Sequence, residues 1–318
     1  MGYGDWLHWT SIVRDLYINI NNFNTTNEKI KYIKKLISIY NNFKNYGVTS
    51  YTNNDNKTKF KVFIIKKKIN KQQEEIFYDN PYITNDENYP NYIKLKVTSQ
   101  DYYSKKLEKF YDDQHVVSRY CKNIGLEKFN ISCELYFTKD EIKKIENLIP
   151  KDDFILIQPC DYKKYGRYPF GKFQEIVNKL HHKILFLQDG PSKFANKNTK
   201  LLKNTRHLIG KTTYREGILL MKYAKLCLVS ESGLSIGSNT VNAKTIAIYN
   251  ATFRPIMTNY DNVYPIHIAD ENHFSCGVFT CCETIQKKYP NGCLKCKELF
   301  ANHNTDIIVR KIEEILKI

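Results

Sequence analysis

The stretch VSESGLSIGSNTVNAKTIAIYNATF, residues 229–253, carries most of the information about the fold. An apolar run at 226–229 leads into a Glu-Ser-Gly turn, small polar residues follow, and a second β-rich run occupies 245–249. This order predicts a strand, a tight turn, a helix and a second strand, which together make a βαβ unit. A helix that begins near Ser235 would offer unpaired N–H groups and the positive end of its dipole to an anion.

Two glycines of this stretch, Gly233 and Gly237, are expected to let an anion approach the backbone, and phosphate is the natural ligand. The alternative is an ordinary βα turn of an α/β protein that binds nothing, and both interpretations fit this segment. Upstream, β-rich and helical runs alternate from residue 154 onward. Such alternation predicts an α/β protein with a parallel, doubly wound sheet.

Further stretches resemble, in order and spacing, motifs of the heptosyltransferase-type glycosyltransferases, which form glycosyltransferase family nine and have the GT-B fold. They are GYGDWLHWTSIVRDL (2–16), ILIQPCDYKKYGRYPFGKFQEIVNKL (155–180), KILFLQDG (183–190) and HLIGKTTYREGILLMKYAKLCLVS (207–230). The resemblance covers most of the chain. It implies two Rossmann-like doubly wound domains with a cleft between them: an N-terminal, acceptor-side domain at 1–150 and a C-terminal, nucleotide-sugar-binding domain at 151–318.

The resemblance implies a donor site in the C-terminal domain. The residues that match the family's donor motif are Glu231, Ser232, Gly233, Leu234 and Ser235, with Glu231 in place of the usual Asp.

A basic residue precedes an aromatic residue and Pro in the same family, and Arg167 has that place here, before Tyr168 and Pro169. Arg167 is the candidate diphosphate clamp, because a guanidinium offers a fork of donors that fits phosphate. Lys164, beside Lys163, either shares this role or is a surface charge.

Asp5 matches the catalytic Asp of the family's glycine-aspartate loop. An inverting glycosyltransferase needs a carboxylate that removes the proton of the acceptor hydroxyl, and the resemblance assigns that role to Asp5. The alternative is that Asp5 caps a helix beginning near Leu7. His8 is expected on the acceptor side, where it would position the acceptor or stabilise the loop.

Two features depart from the family pattern. Met1 stands directly against the glycine-aspartate loop, which a β-strand usually precedes, so either the native start lies upstream or another segment takes that strand's place. In addition, Ile236 stands where the family has His. The second departure removes a polar contact to the donor. These departures suggest an alternative function, a catalytically silent protein that binds a sugar nucleotide or a glycan on the same scaffold.

The net charge of the 318-residue chain is +16, and the excess is nearly all Lys. Lys runs that alternate with strand-like residues are typical of solvated faces, so we expect no dedicated nucleic-acid binding. Attraction to acidic glycans, or peripheral association with an anionic membrane surface, fits the charge better. No run approaches the length of a membrane span and no signal-peptide core follows Met1, which predicts a cytoplasmic protein.

Five of the nine cysteines lie close together near the carboxyl end. Cys276, Cys281, Cys293 and Cys296 could hold a structural zinc ion, and the last two have typical ligand spacing. A disulfide and free thiols are the alternatives, and Cys282 is the fifth member of this group.

The leading hypothesis from the sequence is an inverting, metal-independent glycosyltransferase that requires no cofactor. It would move a hexosyl or heptosyl group from a nucleotide-sugar donor to a glycan or lipid-linked acceptor, with Asp5 as the general base. A basic nucleic-acid-binding module is the third interpretation, and no recognisable motif supports it.

Overall fold

The computed structural model divides the chain into two compact units. The first unit contains Met1–Tyr103 and Gln114–Tyr136, and the second contains Ser104–Asp113 and Phe137–Ile318. The structure describes residues 3–43, 46–65, 71–97, 103–104, 109–110, 114–159, 168–190, 201–250, 255–270 and 292–318. Within these ranges no helix is long and apolar enough to cross a membrane.

The first unit combines four helices with a small sheet in the ranges that the structure describes. Its elements are α1 (Tyr3–Asn21), α2 (Thr26–Phe43), β1 (Gly47–Asn53), β2 (Lys61–Ile64), α3 (Lys71–Phe77), β3 (Asn91–Lys96) and α4 (Val116–Ile124). Two-residue strands, β4 (Tyr103–Ser104) and β5 (Lys109–Phe110), form a separate two-stranded sheet where the units meet in sequence.

The main sheet of the first unit has the strand order β1-β3-β2, with β1 antiparallel and β2 parallel to β3. Val62, Ile93 and Leu95 point from this sheet into a core that also contains Trp9 and Tyr120. Because side chains alternate along a strand, the other face of the sheet carries a different set of residues. This mixed sheet is smaller than the doubly wound sheet predicted for the N-terminal half.

Polar side chains of α1 hold the extended segment 130–134. The Arg14 guanidinium donates to the backbone oxygens of Ser132 at 2.8 Å and Asn130 at 2.6 Å, and it also pairs with Asp15 at 2.9 Å. The other carboxylate oxygen of Asp15 accepts from the Asn130 amide at 2.7 Å. Both charged side chains are buried, and each has several hydrogen-bond partners. These partners offset the free energy that is lost when a charged group is removed from water.

The second unit alternates strands and helices. Its elements are α5 (Lys139–Glu146), β6 (Phe154–Gln158), α6 (Phe170–Leu180), β7 (Leu185–Gln188), β8 (Arg206–His207), α7 (Tyr214–Met221), β9 (Leu226–Ser230), α8 (Gly233–Thr240), β10 (Thr245–Tyr249), β11 (Val263–His267), α9 (Leu294–Asn302) and α10 (Asp306–Leu316), with a 3₁₀ turn at Pro255–Met257.

Six strands of this unit form one sheet in the order β11-β10-β9-β6-β7-β8. Every neighbouring pair is parallel. All residues of β6, β9 and β10 are buried, as expected for strands covered on both faces. The predicted α/β class and the doubly wound parallel sheet are confirmed for this half of the chain.

Helix α5 belongs to the second unit, so the division falls after Tyr136 rather than after residue 150 as the sequence suggested. Two ion pairs explain why. The Arg215 guanidinium in α7 binds Glu141 of α5 at 2.7 Å and 3.0 Å, and Lys144 of α5 binds Glu216 of α7 at 2.9 Å and 2.8 Å. Two adjacent residues of α7, Arg215 and Glu216, therefore hold α5 in the second unit. Both belong to the motif at 207–230, so part of this motif stabilises the fold.

Candidate donor-binding site

The strand order of the second unit creates a switch point between β6 and β9. The chain runs from β6 to β7 and β8 on one side, then returns to place β9 on the other side of β6. Ligands of open α/β sheets bind at the carboxyl ends of the strands at such a point. Gln158 ends β6 and Ser230 ends β9, so the turn 231–232 that leads into α8 lies there.

The predicted donor motif forms the start of α8. Ser232 is the N-cap, and its hydroxyl oxygen accepts from the Leu234 amide at 3.2 Å. The Ser235 hydroxyl accepts from the Ser232 amide at 3.1 Å and donates to the Ser232 oxygen at 2.8 Å. Glu231 precedes the cap, and its amide donates to the oxygen of Ile248 in β10 at 2.9 Å. The helix begins at Gly233, two residues earlier than predicted.

The side chains of Leu234 and Ser235 are buried, with 5% and 1% of their surface exposed. The Ser235 hydroxyl is thus hydrogen-bonded to the backbone at the start of its own helix. The physical reason is that the first turn of a helix has unpaired amides that nearby hydroxyls satisfy. Because the Ser232 amide is bound to the Ser235 hydroxyl, the part of the motif that can meet an anion is the turn backbone at Gly233.

Gly237 has a different role from the one predicted. A methyl group added at Gly237 would lie 2.5 Å from Cδ1 and 2.7 Å from Cγ1 of Ile218, a residue of α7. The missing side chain permits close packing of α7 and α8 and does not open a path for an anion. The neighbouring Ile236, which stands where the family has His, is also buried, with 4% of its surface exposed.

A buried carboxylate lies at the same edge of the sheet. Asp189 follows β7 and is 3% exposed. It accepts from the Thr212 hydroxyl at 2.8 Å and from the Gln158 amide nitrogen at 3.0 Å. Burial raises the pKa of Asp189. Gly217 packs against the side chains of Asp189 and Gln158. A methyl group at Gly217 would lie 3.2 Å from the Asp189 carboxylate and 3.6 Å from the Gln158 nitrogen.

Two polar atoms near the switch point lack hydrogen bonds. Among the residues that the structure describes, Gln158 Oε1 and Ser230 Oγ are buried without a partner. Sequence reasoning missed both residues. The available signal was that polar residues end two otherwise apolar strands, FILIQ and LCLVS, at the carboxyl edge of the sheet.

The predicted phosphate-binding cations, Arg167 and Lys164, lie outside the described residues, together with Lys163. Tyr168 and Pro169 of the same motif are described. Tyr168 packs edge-to-face on Phe173 and Phe300, and its burial raises the pKa of the phenol. Pro169 is the N-cap residue of α6. Tyr168 therefore packs into the core directly ahead of α6.

In the first unit, Asp5 is the third residue of α1, in its first turn. The sequence placed Asp5 either in a loop or at the cap of a helix beginning near Leu7. The helix begins at Tyr3 instead, so Asp5 lies inside its first turn.

His8, which was expected to position the acceptor or to stabilise the loop, is fully buried. Its ring packs edge-to-face on His115 at 5.8 Å between centroids. Burial, and then the charge of His115, lower the pKa of His8 well below its usual value. His8, which follows Asp5 by about one helical turn, therefore lies on the face of α1 that packs into the core.

The cysteine cluster is described only in part. Cys276, Cys281 and Cys282 lie outside the described residues. Cys293 is the N-cap residue of α9, where its sulfur accepts from the Cys296 amide at 3.4 Å, and Cys296 is buried. Within the part of the chain that the structure describes, no three His, Cys, Asp or Glu side chains form a group that could hold a metal ion.

The strand order, the switch point and the capped helix start define a Rossmann-like unit of the kind that binds nucleotides. Residues 98–285, more than half of the chain, match the family model described as glycosyltransferase family 9 (heptosyltransferase). The chain therefore belongs to glycosyltransferase family 9, and the predicted family is confirmed. The predicted α/β class, with a Rossmann-like doubly wound sheet, is confirmed for the second unit. No curated protein matches the sequence significantly.

Solved structures of the same family are similar to the chain at low identity. Heptosyltransferase II of E. coli, an ADP-heptose LPS heptosyltransferase, is 13% identical over 69% of this chain, with a TM-score of 0.46. A family 9 glycosyltransferase of Veillonella parvula is 12% identical over 74%, also with a TM-score of 0.46. E. coli WaaC with ADP is 15% identical over 64%, with a TM-score of 0.41. The alignments cover 64%, 64% and 57% of those chains respectively.

Proposed function

We propose that this protein is an inverting glycosyltransferase that moves a sugar from a nucleotide-sugar donor to a hydroxyl group of a glycan or a lipid-linked acceptor. The observation that supports this best is the position of α8, which begins beyond the end of β9 where the strand order reverses. A helix N-terminus at such a point favours the diphosphate of a nucleotide. Family membership supports the reaction class.

In this proposal the turn backbone at Gly233, at the N-terminus of α8, holds the diphosphate. The strand next to β9 is β6, and the chain leaves the end of β6 at Gln158, six residues before Lys164 and nine before Arg167. A guanidinium and an ammonium there would balance the negative charge that grows on the departing diphosphate. The transfer then requires no metal ion, because these cations and the helix dipole supply the positive charge.

Asp5 is the proposed general base. Its carboxylate takes the proton of the acceptor hydroxyl while the acceptor oxygen forms a bond to the anomeric carbon. The bond between that carbon and the diphosphate oxygen breaks, and the nucleoside diphosphate leaves with the electron pair. Since the family description names heptosyl transfer, nucleotide-activated heptoses are the first donors to test.

One observation favours a second candidate function, a silent protein that binds sugar nucleotides without transfer. Ile236 replaces the family's His, and its side chain is buried. The donor then lacks one polar partner that the family provides. In this case nucleotides would bind, and no sugar would be transferred or hydrolysed.

The donor half of the proposal is tested with Arg167→Ala. Calorimetry should show nucleoside-diphosphate affinity weaker by about 1.5 to 3 kcal/mol, the range for a lost hydrogen bond to a charged group. Arg206→Ala is the matched control, because Arg206 is an exposed arginine of the same unit with only a distant carboxylate partner at 3.9 Å. Equal affinities of the Arg167 variant and the parent would remove Arg167 from the site.

The catalytic half is tested with Asp5→Asn, which keeps the shape and cannot accept the proton. Turnover should fall by about 10² to 10⁴, the contribution of a positioned base, with donor affinity nearly unchanged. Glu28→Gln removes a carboxylate from the first turn of α2 and controls for the loss of charge at a helix start. Clear nucleotide binding with no transfer or hydrolysis by the parent protein would establish the silent binder instead.

A further inference from the structure

The strand β1 lies at an edge of the three-stranded sheet in the first unit. The order β1-β3-β2 leaves one side of β1 without a neighbouring strand. Within the described residues, the backbone groups at 49–53 have their partners in β3 alone. Gly47 and Val48 are buried at the start of the strand, whereas every residue from Thr49 to Asn53 keeps exposed surface. We call the unpaired side of residues 49–53 the open edge.

The opposite edge of the same sheet is covered. In β2 the Val62 amide donates to the Tyr82 oxygen at 2.9 Å, and the Val62 oxygen accepts from the Thr84 amide at 3.0 Å. Ile83, between these two residues, forms a parallel bridge with Val62. Unpaired strand edges recruit other strands, and proteins usually cover or block them. This sheet therefore protects the edge at β2 and exposes the edge at β1.

The open edge lacks the residues that usually block strand pairing. Residues 49–53 read TSYTN, with no charged side chain and no proline. The other two strands of the sheet, KVFI and NYIKLK, both contain lysine. The register of β1 against β3 shifts between Val48 and Ser50 and is regular from Ser50 to Asn53. Four consecutive residues of the open edge thus have ordinary strand geometry.

The lack of charge at the open edge favours a second copy of this chain as its occupant. A charged peptide would find no opposite charge in β1. Two copies, each with a net charge of +16, repel least where their surfaces carry no lysine. The nearest lysine across the sheet is Lys94 of β3, which is paired with Ser50. In a pair of β1 strands, the two Lys94 residues would be three strand spacings apart, about 14 Å, beyond the screening length of about 8 Å.

We propose that two copies of this chain pair through their β1 strands, antiparallel and related by a two-fold axis. Each copy then satisfies the other's unpaired backbone groups, and the two three-stranded sheets become one continuous sheet. With the axis near Tyr51, Ser50 of one copy lies opposite Thr52 of the other copy, on the sheet face away from the core. Hydroxyl pairs of this kind stabilise adjacent strands. This inference is independent of the proposed transfer reaction.

Sedimentation velocity of the full chain measures this association. The parent protein should change from monomer to dimer as its concentration rises to about 100 µM, since one strand pair makes a small interface. Raising the salt concentration should not weaken the dimer, because backbone hydrogen bonds and not ion pairs join the two copies. A parent protein that stays monomeric at this concentration would overturn the proposal.

Two double variants test whether the open edge is the interface. Ser50→Lys with Thr52→Lys places like charges opposite one another in the proposed pair, and so does Ser50→Glu with Thr52→Glu. Each double variant alone should dimerise about tenfold more weakly than the parent. A mixture of the two places Lys opposite Glu, so association should return to about the parent level. No recovery in the mixture, although both variants unfold cooperatively in urea as the parent does, would overturn the proposal.

The control is the double variant Ser38→Lys with Asn42→Lys in α2. Both residues are exposed, on the side of the helix opposite to Ile33 and Leu36, which pack into the core of the same unit. The control adds the same charge as the lysine variant of the open edge, and it should change dimerisation by less than about twofold at physiological salt. Equal weakening by both lysine variants would mean a general effect of net charge. A parent dimer that persists unchanged in both open-edge variants would place the interface elsewhere, and either result would overturn the pairing of β1.

Discussion

The two units of this protein organise their interiors in different ways. In the second unit, β6, β9 and β10 are buried along their whole length in a parallel sheet. In the first unit a short mixed sheet is combined with α1, and α1 is fastened to the segment 130–134 by buried charged groups. Both units therefore have an apolar core, and they use charged groups in different places. In the second unit ion pairs join two helices, α5 and α7. In the first unit the buried pair of Arg14 and Asp15 holds the extended segment 130–134, and its parts are costly to separate.

This difference predicts a large loss of stability for Arg14→Ala. The change leaves the buried Asp15 carboxylate without its cation and the oxygens of Asn130 and Ser132 without their donor. Breaking one partner of a buried pair costs about 3 to 5 kcal/mol. Urea denaturation, followed through the tryptophans Trp6 and Trp9 of α1, measures the effect on the first unit.

Lys35→Ala is the control for this prediction. Lys35 pairs with Glu127 in the same unit, but both side chains are more than half exposed. Exposed pairs contribute about 0 to 1 kcal/mol. A loss below about 1 kcal/mol for Arg14→Ala would show that the network does not hold the unit together.

The same difference explains how much of the fold the sequence predicts. The runs FILIQ and TIAIY are short, apolar and bounded by turns, and they form strands at the predicted residues 154–158 and 245–249. A strand that is buried on both faces is visible as an apolar run, whatever its neighbours are. The second unit could therefore be predicted from local patterns.

The first unit could not be predicted in this way. The strands β1 and β3 are not among the elements that the sequence predicts. Strands such as NYIKLK have only one buried face, so their local signal is weak. The burial of His8 depends on His115, more than a hundred residues away in sequence. A contact between residues so far apart in the chain leaves no local pattern in the sequence.

Candidate site residues show the same limit. The sequence identifies the helix start at the switch point, because a Gly-containing turn follows an apolar strand. It does not reveal that Gly237 faces Ile218 or that Ser235 bonds to its own helix, because both depend on packing in three dimensions.

Acid should destabilise the first unit through His115. Burial lowers the pKa of His115 to about 4, so the folded state keeps a neutral ring that the unfolded chain protonates below about 6.5. The stability from the neutral ring is complete above pH 6.5 and is lost as the pH falls from 6.5 towards 4. At pH 5 the loss should be about 2 kcal/mol relative to pH 7.5.

His115→Asn is the matched variant for this test. The Nδ1 atom of His115 accepts from the Val117 amide at 3.2 Å as the N-cap of α4, and Asn can cap the helix without titrating near this pH. Urea denaturation of both proteins at pH 7.5 and pH 5 should show a smaller decrease for the variant. Parallel decreases would mean that other groups, such as the buried His8 or the carboxylates, and not His115, cause the acid sensitivity.

Packing in the second unit is tested by two glycines. Gly237→Ala places a methyl group against Ile218, and overpacking of a core costs about 1 to 3 kcal/mol, partly offset by the better helix propensity of Ala. We expect a net loss of about 1 to 2 kcal/mol. Gly171→Ala in α6 meets nothing within 4 Å and should stabilise the protein by about 0.5 kcal/mol. If both variants were stabilised, α7 and α8 would not be packed as closely as the contact implies.

The smallest expected change in stability concerns Ser232, which caps α8 and lies beside the proposed diphosphate site. Ser232→Ala removes the cap of α8 and should cost about 1 kcal/mol, whereas Ser232→Gly should cost only a few tenths. Glycine tolerates the extended cap backbone and leaves the amides of the turn accessible to a phosphate. Nucleoside-diphosphate affinity, measured by calorimetry below the unfolding transition, should therefore be nearly unchanged in Ser232→Gly. Weaker binding by tenfold or more in both variants, with the stabilities as predicted, would show that the hydroxyl itself contacts the donor and that the backbone turn alone is not the binding element.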